Sequence, residues 1–73
     1  MRRTRLLELA RSAGLQIQDE GFRHVIWGKG RTPVGVAVYS DGSAHRADVD
    51  LSITKNMTIT ECASVLDLND TTK

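Results

Sequence analysis

Apolar residues recur at a helical spacing in the first part of the chain and at a strand spacing in its middle. Leu6, Leu9, Ala10 and Ala13 fall at i, i+3, i+4 and i+7, the buried stripe of a helix over roughly Arg5 to Ala13. Thr4 is placed to cap its start, and Gly14 to close it in the left-handed conformation. Leu15-Gln16-Ile17-Gln18 then alternates as an extended entry segment, which Asp19-Glu20-Gly21 turns.

Three stretches follow that read as strands. Phe22 to Trp27 is rich in aromatic and β-branched residues, Val34 to Tyr39 alternates large with small, and Ala44 to Leu51 alternates again. Asp41-Gly42 is a hairpin signal, and as the centre of a type I′ turn it sets Tyr39 opposite Ala44, Val38 opposite His45, Val36 opposite Ala47 and Val34 opposite Val49. One face then carries Val34, Val36, Val38, His45, Ala47 and Val49, and is the core face; the other carries Gly35, Ala37, Tyr39, Ala44, Arg46 and Asp48. A loop over Gly28 to Thr32 puts Ile26 opposite Val34, His24 opposite Val36 and Phe22 opposite Val38, which sends Phe22 to the core and Arg23, Val25 and Trp27 to the outer face. Thr58-Ile59-Thr60-Glu61 is a capping box, opening a helix from about Ile59 to Leu68 whose stripe is Ile59, Cys62, Ala63 and Leu66, with Asn69 ending it. The expected fold is a small two-layer α+β domain: a three-stranded antiparallel sheet with two helices on one face, in the order α-β-β-β-α. Residues 1–73 form a single domain, frayed at 1–3 and 70–73.

Length narrows the function classes. A chain of 73 residues buries only about 60% of the surface its unfolded form exposes, which excludes a dinucleotide crevice or a barrel closed around a cofactor. Cys62 is the lone cysteine, so no disulfide framework exists within the chain. The apolar run after the basic start Met1-Arg2-Arg3-Thr4-Arg5 is only Leu6-Leu7, and nothing approaches the roughly 20 apolar residues that cross a bilayer. A cytoplasmic protein away from membranes, with no cofactor, is expected.

Chemistry concentrates on the uncovered sheet face. Arg23, Trp27, Tyr39 and Arg46 surround the small residues Gly35, Ala37 and Ala44 there, and Lys29 and Arg31 lie at the rim. Aromatic and guanidinium planes are the residue types that stack on splayed nucleotides and that anchor protein interfaces. The net charge of +1 averages a basic front over an acidic tail. Residues 1–46 carry eight Lys/Arg against four Asp/Glu, and residues 47–73 two against five. That balance is too weakly basic for a dedicated nucleic-acid domain, so a protein partner is favoured over free nucleic acid. Gly28-Lys29-Gly30-Arg31 lacks the third glycine and the helix of a phosphate-binding fingerprint, and reads as a turn. His24 and His45 on the core face and Cys62 on a buried stripe have no paired ligand spacing, so no metal site is assigned. Asp48 and Asp50 share a strand face without a partner base and read as solubilising edge residues.

The α-β-β-β-α order is similar to that of double-stranded-RNA-binding domains and of the small mRNA-cleaving toxins built on them, in which a strand histidine acts in catalysis. Gly21-Phe22-Arg23-His24 resembles that histidine's setting. The strongly basic surface and the Gly-[Ser/Thr]-His-His run of those toxins are missing, and no residue role is carried over. In order alone, the sheet followed by a helix is also similar to the arm-binding domains of phage integrases. The expected function is a non-catalytic binding or regulatory module acting through the open sheet face on a protein, or on a nucleic acid in a nucleoprotein complex. The alternatives are a small ribonuclease-like enzyme using His24 or His45, and a structural protein that forms a homodimer.

Overall fold

The structure, a computed structural model, describes residues 1–31, 33–48 and 57–68. These form α1 (Arg3–Ser12), β1 (Gln16–Asp19), β2 (Arg23–Trp27), β3 (Gly35–Tyr39), β4 (Ala44–Arg46) and α2 (Ile59–Val65). The α+β class holds, but the sheet has four antiparallel strands in the order β1-β2-β3-β4 rather than three. The segment read as an entry is a true edge strand, with Ile17 opposite Ile26 and Asp19 opposite His24. The likeness to α-β-β-β-α domains therefore lapses.

Both helices end on the same device. At the end of α1 the amide of Leu15 donates to Ala10 and that of Gly14 to Arg11, with Gly14 at φ 75°. At the end of α2 the amide of Leu68 donates to Ala63 and that of Asp67 to Ser64, with Asp67 at φ 57°. These are Schellman closures, and aspartate is among the few residues that tolerate the left-handed position glycine usually fills. Hence α2 stops at Val65, short of the expected Leu68, and the expected stop at Asn69 lies outside the described residues. The start of α2 agrees with the sequence: Thr58 Oγ1 accepts from the Glu61 amide and Glu61 Oε1 from the Thr58 amide. The start of α1 does not. Arg2 occupies the cap position without a side-chain bond and Thr4 lies inside the first turn. Arg3 is drawn into the helix, where its Nη2 lies 3.1 Å from His24 Nδ1 on the sheet. Thr58→Ala should therefore cost about 0.5–2 kcal/mol, whereas Thr4→Ala should stay within about 0.5 kcal/mol, measured by paired urea titrations.

The two hairpin registers differ from expectation in unequal ways. Ile26 pairs with Val36 and His24 with Val38, a two-residue displacement. Pro33 has no N–H to offer a strand, so pairing resumes at Val34, whose carbonyl accepts from Gly28. An even displacement preserves the faces, and Arg23, Val25 and Trp27 stay with Gly35, Ala37 and Tyr39. At the second hairpin Val38 pairs with Ala44, Ala37 with His45 and Val36 with Arg46, a displacement of one. Gly42 has φ 93° and donates to the Tyr39 carbonyl, while Asp41 has no positive φ. A type I′ turn would need both positive, so the loop takes three residues, Ser40 to Gly42. Asp41 Oδ1 holds it by accepting from the amide and the hydroxyl of Ser43. One residue of slip exchanges the faces of β4. Ala44 and Arg46 turn to the helix side, His45 and Ala47 to the open side. The expected core position of Val49 lies outside the described residues.

The core gathers on one face. Leu6, Leu7 and Ala10 of α1, Ile26, Val36, Val38 and Ala44 of the sheet, and Cys62, Ala63 and Leu66 from α2 and its C-cap pack together. Leu7 is buried and Leu9 only partly so, while Ala13 is exposed. Phe22, expected in this core, is 61% exposed. It occupies the tip of a tight β1–β2 turn behind Gly21 (φ 82°), so it lies outside the strand that would have carried it inward. Burial, with a smaller contribution from the charge of Glu61, pushes the Cys62 thiol up to about 11 from an ordinary value near 9. The unfolded thiol ionises first, so the stabilising difference is fully present below pH 9 and is lost as pH rises toward 11. Denaturation midpoints measured across that range should fall in the wild type, with that contribution missing in Cys62→Ala.

Candidate functional site

The face away from the helices carries a shallow cleft of about 280 Å³. Its floor is Val25, backed by Ala37, and both are buried although no helix covers them. Large neighbours on the same face do the covering. Trp27 lies over Gly35 so closely that a Cβ there would stand 2.5–2.9 Å from three ring atoms. Only glycine admits this packing, which holds the indole against the strand at Gly35. Gln18 and Glu20 from β1 and its turn, and His45 and Ala47 from β4 and its continuation, complete the lining.

One directional chain of hydrogen bonds crosses this face. The Arg23 Nε donates to Glu20 Oε1, and Arg23 Nη1 donates to the Tyr39 hydroxyl at 3.2 Å. Tyr39 Oη lies 2.8 Å from His45 Nε2, and His45 Nδ1 lies 2.8 Å from the Arg46 carbonyl. A carbonyl only accepts, so Nδ1 carries a proton, and in the neutral tautomer this leaves Nε2 to accept from Tyr39. Hydrogen bonds from Arg23 to Glu20 and Tyr39 stabilise the charged guanidinium and raise its pKa above the ordinary value. Phe22 leans on the same cluster, its ring centroid 5.9 Å from that of Tyr39 and 5.6 Å from the Arg23 guanidinium carbon.

Of the residues expected here, Arg23, Trp27 and Tyr39 stand together on this face. Arg46 does not, because the β4 slip turns it to the helix side, where it grips Asp48 by two bonds of 2.5 and 2.6 Å. That pairing holds the Asp48 carboxyl below its usual range. Lys29 and Arg31 are exposed in the loop that leaves β2 from Trp27. Phe22 and His45 also belong to this face, against the sequence expectation that places both on the core face. His24 sits on the helix side between Arg3 and Asp19. His24, His45 and Cys62 thus occupy three separate environments, and among the described residues no group of three or more His, Cys, Asp or Glu is arranged to hold a metal ion. No described helix is long and apolar enough to cross a membrane.

No protein-family model, curated protein or solved structure matches the chain. The fold and the cleft define its class: a small α+β domain whose antiparallel sheet is covered by helices on one side and carries an aromatic and polar cleft on the other.

Proposed function

We propose that this chain is a non-catalytic cytoplasmic binding module that acts through the open face of its sheet on a macromolecular partner, either a protein or a nucleic acid within a nucleoprotein complex. The cleft carries this reading. Aromatic residues and arginine are the commonest interface anchors, and Arg23, Trp27, Tyr39 and Phe22 converge on one face of a chain with very few aromatics to place. The hydrogen-bond chain favours binding over catalysis, since the Tyr39 hydroxyl and both nitrogens of His45 are engaged with the protein itself. Such a network rigidifies a surface.

Capture from source-cell lysate, with and without nuclease, tests this. A chain bearing Phe22→Ser and Trp27→Ala should lose the partner that the wild type retains, while Arg46→Ala should keep it. Equal retention by all three chains would contradict the assignment. One observation favours a second reading, a small ribonuclease: His45 shares the cleft with Arg23 and Glu20. RNA cleavage by the wild type that vanishes in a folded His45→Ala chain would support it, and an inert wild type would exclude it.

A further inference from the structure

The charges around the cleft divide by position. Arg5, Arg23 and Arg46 pair with Glu8, Glu20 and Asp48, and Arg3 donates to His24. The cleft therefore contains one ion pair and no excess charge. Arg11, Lys29 and Arg31 differ: all three are exposed and make no ion pair among the described residues, which is also true of Arg2 at the start of α1. The first three belong to the two segments that flank the paired Gln16 and Trp27, the end of α1 and the loop after β2. The Gly14 amide bonds to the Arg11 carbonyl, the Lys29 Nζ stands 3.3 Å from where a Cβ on Gly14 would lie, and Arg31 follows in the loop that begins directly after Trp27.

A neutral cleft with an aromatic wall, beside unneutralised cationic segments, matches a ligand whose planar ring is uncharged and whose negative charge is displaced from the ring. A nucleotide unit has that layout. Within the cleft, Arg23 Nη2, the second carboxylate oxygen of Glu20 and the Gln18 amide have no hydrogen bond within the described residues. They supply donors and acceptors together, as the edge of a base requires. An acidic peptide side chain would instead meet the Glu20 carboxylate. The volume, about 280 Å³, lies just under the range of about 300–1,000 Å³ usual for small-molecule pockets and suits one ring system. We propose that the open face binds single-stranded nucleic acid, with one unpaired base stacked on Trp27 in the cleft and the adjoining phosphates at Arg11, Lys29 and Arg31. This inference rests on the open face being the working surface. It selects unpaired strands because duplex bases are stacked out of reach.

Trp27 is the only tryptophan, so its fluorescence reports the site directly. Single strands of RNA and of DNA, about ten nucleotides long, should quench it saturably, while the matching duplex and a free mononucleotide should act far more weakly. Three phosphate contacts give a log–log salt slope of about −2, or roughly twentyfold weaker binding between 50 and 200 mM salt. The exposed triple variant Arg11→Gln, Lys29→Gln, Arg31→Gln should fold normally and bring that slope close to zero. Trp27→Ala, followed by the anisotropy of a labelled strand, should weaken binding at least about fivefold; the triple variant carries the test if Trp27→Ala does not fold. The proposal is overturned by no quenching from either strand at low salt, by duplex or mononucleotide binding as well as strands, or by an unchanged slope in the triple variant. If strands fail while a protein is retained by the wild type and lost with Trp27→Ala, this inference falls and the binding-module reading stands. If nothing retained depends on Trp27, both fall.

Discussion

Replacing Ile26 by Ala should cost about 2–5 kcal/mol, enough to leave a domain of this size largely unfolded near physiological temperature. Ile26 is fully buried in β2, between β1 and β3. Its side chain belongs to the cluster with Leu6, Val36, Val38 and Cys62. A core this thin has few neighbours able to collapse into the space, so the cavity contribution adds to the lost transfer energy. Circular dichroism under urea would show the effect. Phe22→Ser provides the contrast, because a side chain already 61% exposed leaves no cavity, and its change in stability should stay within about 0.5–1 kcal/mol. A large loss for Phe22→Ser would mean that the ring is in the core after all.

Gly35→Val should destabilise the protein by about 1–3 kcal/mol or more through overpacking. Its first carbon would fall 2.5–2.9 Å from the Trp27 ring, and β2 and β3 are held in register by pairing on both sides. Something must give, and the indole at the open face moves more easily than an interior strand. A red shift of Trp27 emission should therefore accompany the loss of stability. Binding through the cleft should also weaken, because the displaced ring no longer lies over Gly35. An unshifted spectrum with full stability would show that the indole does not cover Gly35.

The sequence makes some parts of this fold readable and leaves others ambiguous for identifiable reasons. The start of α2 is local chemistry written in four residues, and the closure of α1 needs only Gly14; both appear in the structure as expected. The faces of β2 and β3 survive a misplaced loop because a displacement of two leaves alternation intact. β4 is less forgiving. Asp41-Gly42 serves a two-residue turn or a three-residue loop equally well, and the choice rests on Asp41 bonding to Ser43, a side-chain preference that alternation does not encode. That one-residue ambiguity removed Arg46 from the candidate site and brought in His45. β1 was missed as a sheet strand because Gln16-Ile17-Gln18-Asp19 offers a single apolar residue, and its membership is decided by pairing with β2. Phe22 misled through composition: aromatic content argues for a strand, whereas the positive φ of Gly21 places the residue at a turn.

The central claim is that ligands meet the protein on the open sheet face. A nuclear magnetic resonance shift map of the isotope-labelled chain, recorded while single-stranded RNA or a captured partner is added, tests it directly. The account predicts that the Trp27 indole N–H and the rings of Tyr39, Phe22 and His45 shift together, with the exposed outer positions Thr60, Glu61 and Ser64 of α2 unmoved. Shifts confined to the helices, with the Trp27 indole signal unchanged at saturation, would contradict it.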